Sequence, residues 1–151
     1  VDALAAGAPL VAEESVRETV NYLCDCRRNL SLLQRDFPAV DFARIAHEED
    51  PIWAKYEAQF GDQLTFEGHR ESDDLPSLAV RARAALTFLG SRPETSIAVA
   101  SHSAFMKHFF NSDLGGIVEF ADDAVKEFLQ EGFDNAELRT AAAVISPAAS
   151  L

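Results

Sequence analysis

The apolar residues of this chain fall into one long stripe and several short blocks, separated by polar turns. The stripe covers residues 75–89, where apolar side chains recur every three or four positions and predict an amphipathic helix. The polar residues at 72–74 can cap its start, Pro76 suits its first turn, and Gly90 fits its end. Shorter segments predict further helices over 30–37, which Pro38 stops, over 104–110 and over 122–130.

Three short apolar blocks predict strands at residues 10–12, 97–100 and 137–145. The segment 39–65 mixes charged with aromatic residues, and we expect turns and short helices there that lie outside the main sheet. The order helix, buried strand, polar turn and helix over 75–110 predicts an α/β fold with a parallel sheet.

The composition narrows the class of protein. A length of 151 residues with 48% hydrophobic residues indicates one ordered domain, residues 1–151. The formal net charge of -12 argues against non-specific binding to nucleic acid or to anionic membranes. Since no apolar run is long enough to cross a bilayer and the first residues lack the pattern of a signal peptide, we expect a cytoplasmic protein.

The chain contains two cysteines, Cys24 and Cys26, in a C-x-C pattern. They can be two free thiols, a strained disulfide or half of a metal site. Because no third cysteine can complete a thiolate site, and the nearest histidine is as distant as His47, we favour free thiols. Free thiols fit a reducing compartment.

Two polar residues follow predicted strands, where ligands bind in open α/β sheets. His102 comes just after the block 97–100, at the amino end of the next helix, and main-chain N–H groups with the helix dipole favour an anion there. Glu18 comes shortly after the block 10–12, and a carboxylic acid beside a phosphate ester can protonate the leaving oxygen. A phosphate site is therefore one interpretation.

Structural interpretations stay open beside it. A Ser-His-Ser turn is commonly a capping device, and Arg17-Glu18 can be a solvated surface pair. A Ser-His-acid hydrolase lacks its G-x-S-x-G motif here, and the chain has no Gly-rich phosphate loop. Arg17, Arg27, Arg28 and Lys107 are the basic residues to test for phosphate contact.

Three ordered stretches carry a resemblance to a known family. The first is Arg17-Glu18 followed by residues 24–28 and 37–42, and the second is residues 70–72 leading into the long helix and residues 92–94. The third is residues 97–105, a strand-Ser-His-small-small-aromatic segment, and residues 133–139 look like a closing strand. Together, over most of residues 9–141, they resemble the histidine phosphatase superfamily, the phosphoglycerate mutase-like proteins.

The resemblance implies a three-layer α/β/α fold with a mostly parallel sheet and a phosphoryl group that passes through a phosphohistidine. By position, Glu18 matches the family's proton donor, and His102 matches a second histidine that stabilises the transferring phosphoryl group. We predict that Arg17 and Ser103 bind substrate. The implied partner is a small phosphorylated substrate, and no metal or organic cofactor is implied.

The chain departs from the family in one respect. It contains no Arg-His-Gly, the motif of the family's nucleophile, and the closest string is Gly68-His69-Arg70. We therefore expect an incomplete domain whose first strands precede Val1, inactive alone, because losing a nucleophile costs roughly a millionfold in rate. Open sheet edges would leave it marginally stable or paired as a homo-oligomer. Two alternatives remain: a non-catalytic anion-binding module of the same fold, and an unrelated α/β protein with a structural Ser-His turn.

Overall fold

The computed structural model describes residues 7–62, 64, 67–111 and 118–144. Its regular elements, in chain order, are two short strands and five α-helices, with single turns of 3₁₀ helix at Glu14–Val16, Leu23–Asp25 and Glu71–Asp73. The elements are β1 (Leu10–Val11), α1 (Leu30–Asp36), β2 (Val40–Asp41), α2 (Pro51–Phe60), α3 (Leu75–Ser91), α4 (Ser103–Asn111) and α5 (Asp123–Gln130).

The two strands form a small parallel sheet. Leu10 pairs with Val40 and Val11 with Asp41, and the main-chain N–H of Ala12 donates to the carbonyl of Asp41 at 2.9 Å. Helix α1 lies in the connection between them, as a parallel crossover requires. The prediction for residues 10–12 is confirmed, but the expectation that residues 39–65 lie wholly outside the sheet is wrong, because the chain after α1 returns to β1.

Two other predicted strands are corrected by the structure. Residues 97–100 and 137–144 have no strand assignment, and Ile97, Val99, Leu138 and Val144 are exposed. A strand is defined by hydrogen bonds to a neighbouring strand, and among the described residues neither block has such a neighbour. Residue 145, the end of the last predicted strand, lies outside the described residues. The described part thus fits an α/β fold rich in helix.

The larger core cluster joins α3 to α4. Leu78, Ala82 and Ala85 of α3 contact Phe105 and Phe109 of α4, and all five are buried. Helix α3 starts at the cap Asp74, whose side chain accepts from the N–H of Ser77, and it follows the predicted apolar stripe. It ends at Ser91, so Gly90 lies inside the last turn and is not the stop that the sequence predicted. The helices predicted over 30–37, 104–110 and 122–130 are confirmed as α1, α4 and α5.

A second cluster lies around the amino end of α2. Val20, Trp53 and Tyr56 are buried together, and the guanidinium carbon of Arg70 lies 4.8 Å from the centre of the Trp53 ring. Asp50 caps α2 by accepting from the N–H groups of Ile52 and Trp53, each at 3.0 Å. This cluster holds the segment that follows β1, because Val20 belongs to it. Within the described residues, no helix is both long and apolar enough to cross a membrane.

Candidate functional site

The structure brings Glu18 and His102 together. Nδ1 of His102 lies 3.6 Å from Oε2 of Glu18, with the histidine side chain 61% exposed and the carboxylate 25% exposed. Glu18 lies on the segment after β1, and His102 immediately precedes α4. Both predicted catalytic residues therefore face one solvent-accessible point, although they are far apart along the chain.

The position of Glu18 is fixed by main-chain donors. Oε1 of Glu18 accepts from the main-chain N–H of Thr19 at 2.8 Å. It also accepts from the N–H of Phe105, in the first turn of α4, at 3.2 Å. The first N–H groups of a helix have no partner within the helix and attract negative charge. The sequence predicted an anion at the amino end of α4, and the Glu18 carboxylate accepts from one of the main-chain N–H groups there.

A cavity of about 320 Å³ opens beside this pair. Its wall combines apolar side chains with carboxylates and guanidinium groups, and such a mixture suits a ligand with both polar and apolar parts. Its lining residues are Ala12, Glu13, Glu14, Arg17, Glu18, Cys24, Asp25, Arg27, Leu33, Phe42, Ile45 and His102.

Arg17 is the predicted substrate-binding residue that lines this cavity. Its Nη2 donates to Oδ2 of Asp50 at 2.7 Å and to the carbonyl of Asp25. Its Nη1 is 3.8 Å from Oε1 of Glu14, beyond hydrogen-bond distance. This buried nitrogen has no hydrogen-bond partner among the described residues. Arg17 is therefore anchored through Nη2, while Nη1 is buried and has only the longer ion-pair contact with Glu14.

Asp50 is the buried anchor of Arg17. The same Oδ2 that accepts from Arg17 also accepts from the main-chain N–H of Arg27 at 2.8 Å. Burial alone would raise the pKa of Asp50, but the hydrogen bonds from Arg17 and from main-chain N–H groups outweigh it and hold that pKa below the ordinary value. Asp50 thus ties the cavity wall to the start of α2 in its ionised form.

Arg27 also lines the cavity, but its side-chain nitrogens donate hydrogen bonds to other groups of the protein. Its Nε donates to Oε1 of Glu14 at 2.5 Å, and its two terminal nitrogens donate to main-chain carbonyls. Those carbonyls belong to Arg28, His47, Glu48 and Glu49. Such saturation makes Arg27 a brace for residues 47–49 and a poor phosphate ligand.

The remaining predicted contacts lie elsewhere. The Ser103 hydroxyl donates to the carbonyl of Phe133 at 2.8 Å, and Ser103 is not among the lining residues. Arg28 pairs with Asp36 at 2.8 Å on the exposed side of α1. Lys107 is exposed on α4 and is likewise absent from the cavity wall. The geometry thus favours Arg17 over the other basic residues named from the sequence.

The sequence reasoning missed a buried ion pair beneath the site. Nε and Nη2 of Arg81 each lie 2.9 Å from a carboxylate oxygen of Glu71, and both side chains are almost fully buried. Arg81 lies on α3 between Leu78 and Ala85, at three- and four-residue spacing from them. A charged residue inside an apolar stripe was the signal that could have found it, since buried charges need partners.

Neither cysteine forms a disulfide. Cys24 is exposed at the rim of the cavity, and the negative charge of Asp25 raises the pKa of its thiol, which disfavours the reactive thiolate. Among the described residues, no group of three or more His, Cys, Asp or Glu side chains is placed to hold a metal ion.

Comparison with known proteins found three relatives in Arabidopsis thaliana. The chain is 34% identical over 133 residues to "Phosphoglycerate mutase-like protein 1", a match that covers 87% of the chain and 41% of that protein. It is 33% identical over 133 residues to "Phosphoglycerate mutase-like protein", a match that covers 87% of the chain and 42% of that protein. It is 32% identical over 117 residues to "Phosphoglycerate mutase-like protein 2", a match that covers 78% of the chain and 29% of that protein.

The chain thus spans less than half the length of these curated relatives. No model of a protein family matches it. No solved structure matches it either.

Proposed function

From the sequence relationship to phosphoglycerate mutase-like proteins, which supports the histidine phosphatase superfamily, we propose that this chain carries part of the active site of a phosphomonoester hydrolase or phosphomutase. The observation that carries the proposal is the approach of His102 Nδ1 to Glu18 Oε2 at 3.6 Å beside the cavity. An acid and an imidazole at one accessible point are two of the groups that phosphoryl transfer from an ester can use.

Each proposed role follows from the chemistry of the group. A nucleophilic histidine forms a nitrogen–phosphorus bond while the ester's phosphorus–oxygen bond breaks, and Glu18 gives its proton to the departing oxygen. His102 donates a hydrogen bond to a phosphoryl oxygen as charge develops there. A water molecule, or a hydroxyl acceptor in a mutase, then attacks phosphorus, the nitrogen–phosphorus bond breaks, and the proton of the attacking oxygen passes back to the Glu18 carboxylate.

Arg17 is the proposed phosphate ligand. Asp50 holds one of its nitrogens, and its buried Nη1 has no hydrogen-bond partner among the described residues. A guanidinium fixed on one side presents its remaining N–H groups in a defined direction, which matches the oxygens of a phosphoryl group. The proposed substrate is therefore a small phosphate ester.

The proposal needs a nucleophile in the family's Arg-His-Gly form, which these 151 residues do not contain. The cavity with Arg17 and His102 in its wall also supports a second candidate function, a non-catalytic anion-binding module. In the module, inorganic phosphate would bind at Arg17 and His102, but no phosphohistidine would form.

Two measurements test the proposal. The complete open reading frame is assayed against a panel of phosphate esters, and acid-quenched protein is analysed for phosphohistidine after reaction with substrate. Turnover with a phosphohistidine supports the enzyme. Saturable binding of inorganic phosphate without turnover in the complete protein supports the module, and an absence of both rejects the two functions together.

A further inference from the structure

A buried charged network lies directly behind Glu18. Arg81 donates through Nη1 to the carbonyls of Glu14 at 3.3 Å and Arg17 at 3.1 Å, and through Nη2 to the carbonyl of Glu18 at 3.3 Å. One guanidinium from α3 thus contacts the segment after β1 at three carbonyls, including that of the proposed proton donor itself.

Glu71 completes the network from the other side. Its Oε2 accepts from Nη2 of Arg81 at 2.9 Å and from the main-chain N–H of Val20 at 2.8 Å. The main chain is therefore held at the Glu18 carbonyl by Arg81 and at the Val20 N–H by Glu71. Since a charge-assisted hydrogen bond is stronger and more directional than a neutral one, this fixes the path of the chain through Glu18.

The same guanidinium also contacts the helix that receives the Glu18 side chain. The guanidinium carbon of Arg81 lies 4.4 Å from the centre of the Phe105 ring, and the Phe105 N–H donates to Oε1 of Glu18. Arg81 thereby touches both partners of that hydrogen bond: the main chain of Glu18 and the side chain of Phe105. A cation over an aromatic face is attracted to it, so the two contacts reinforce each other.

We infer that the Arg81–Glu71 pair is a positioning device that sets the carboxylate of Glu18 against the first turn of α4 and beside His102. This inference deepens the proposed function and, as a role in catalysis, rests on it. Arg81 and Glu71 do not line the cavity, so they act on the reaction only through the lining residues whose main chain they hold, and Glu18 is the one they contact from both sides.

The test starts with a direct measurement of the Glu18 position in the protein expressed from the complete open reading frame. Amide proton shifts of Thr19 and Phe105 report on their hydrogen bonds to Glu18, and the Glu18→Ala variant gives the shifts without those bonds. The test variant combines Arg81→Met with Glu71→Gln, which removes the charges together and keeps an acceptor for the Val20 N–H. We expect both amide shifts to move most of the way to their Glu18→Ala positions.

Arg139 offers a matched control in the same chain. Like Arg81, Arg139 pairs with a glutamate, Glu137, and its guanidinium lies 3.8 Å from an aromatic ring centre, that of Phe133. It also donates to three main-chain carbonyls, those of Phe128, Glu131 and Gly132. The Arg139→Met/Glu137→Gln variant should leave the Thr19 and Phe105 amide shifts at their wild-type values. Unchanged shifts in a folded Arg81→Met/Glu71→Gln variant would overturn the inference.

A second variant covers the case in which the double change unfolds the chain. Arg81→Lys keeps a positive charge opposite Glu71, but one nitrogen cannot reach three carbonyls and a carboxylate together. The two amide shifts should move in the same direction by a smaller amount, and wild-type shifts in this variant would likewise reject the inference.

Activity then separates this inference from the proposed function. In the complete open reading frame, the Arg81→Lys change should lower kcat by about 10- to 100-fold with a smaller change in KM, because a misplaced proton donor affects the transition state more than binding. A loss confined to KM would contradict the inference. If the wild type itself hydrolyses no ester, the proposed function fails, while the amide shifts still decide whether the pair positions Glu18.

Discussion

Glu18 and Phe105 are joined by a 3.2 Å hydrogen bond from the main-chain N–H of Phe105 to Oε1 of the carboxylate. The two oxygens of the carboxylate therefore have different contacts. Oε1 accepts from Phe105, and Oε2 faces His102 at 3.6 Å. The hydrogen bond from Phe105 also connects the segment after β1 to the first turn of α4. The geometry of the candidate site therefore depends on two parts of the chain that meet only in the folded protein.

The first prediction concerns the roles of the two histidines on or next to α4. In the complete open reading frame, Glu18→Gln and His102→Ala should each reduce kcat for phosphate esters by about 10²–10⁴-fold, because under the proposed function each removes a group that acts on the transition state. His108→Ala should change kcat little. His108 is half-buried and lies six positions further along, on another face of the helix. Equal losses from His102→Ala and His108→Ala would contradict the assignment.

The second prediction concerns acid stability and Asp50. Because its pKa is lower in the folded protein than in the unfolded chain, ionised Asp50 stabilises the fold above the unfolded value of about 3.9, and this contribution is lost as the pH falls toward the folded pKa. Asp50→Asn keeps an N-cap but weakens the bond from Arg17. Urea unfolding should show a larger stability difference between wild type and Asp50→Asn at pH 7 than at pH 3. A difference that does not depend on pH would refute the prediction.

The third prediction concerns Asn21, a buried amide that links two segments. Its Oδ1 accepts from the main-chain N–H groups of Arg70 at 3.0 Å and Ser72 at 3.1 Å, and its Nδ2 donates to Ser72 Oγ at 2.7 Å. Asn21→Ala should lower the free energy of unfolding by about 2–5 kcal/mol, because it leaves two N–H groups without their acceptor. Asn111→Ala, on the exposed surface, is the control and should cost clearly less in the same denaturation experiment.

The fourth prediction concerns the larger core cluster. Phe105 is fully buried against α3, so Phe105→Ala should lower the free energy of unfolding by about 3–5 kcal/mol. Phe128 on α5 is 47% exposed, and Phe128→Ala should cost less than about 1 kcal/mol. Thermal or urea unfolding of the two variants measures the contrast, and similar losses would show that α4 is not the core helix described here.

Much of this architecture could be predicted from local patterns. The apolar period of α3, its cap Asp74 and the stop of α1 before Pro38 are encoded within one or two turns of chain. The pairing of β1 with β2 could not be predicted in this way, because two residues per strand give no alternation to detect and the pairing joins distant segments. The strands predicted at 97–100 and 137–144 are wrong because apolar composition alone does not supply a neighbouring strand.

The candidate site was predictable in part. Glu18 and His102 were found through the order of several motifs, while their distance and the hydrogen bond to Phe105 needed the fold. The role of Arg27 differs from the sequence-based choice because its donors meet carbonyls at residues 28 and 47–49, which no spacing in the sequence reveals. Long-range main-chain contacts of this kind are invisible to pattern reasoning.

The cluster of Val20, Trp53 and Tyr56 has a practical consequence for experiments. Trp53 is the one tryptophan of the chain, and it is buried next to the residue that follows Glu18 and Thr19. Its fluorescence is therefore an intrinsic, label-free optical reporter for this side of the molecule. Loosening of the segment around Val20 would admit water to the indole and shift its emission to longer wavelength.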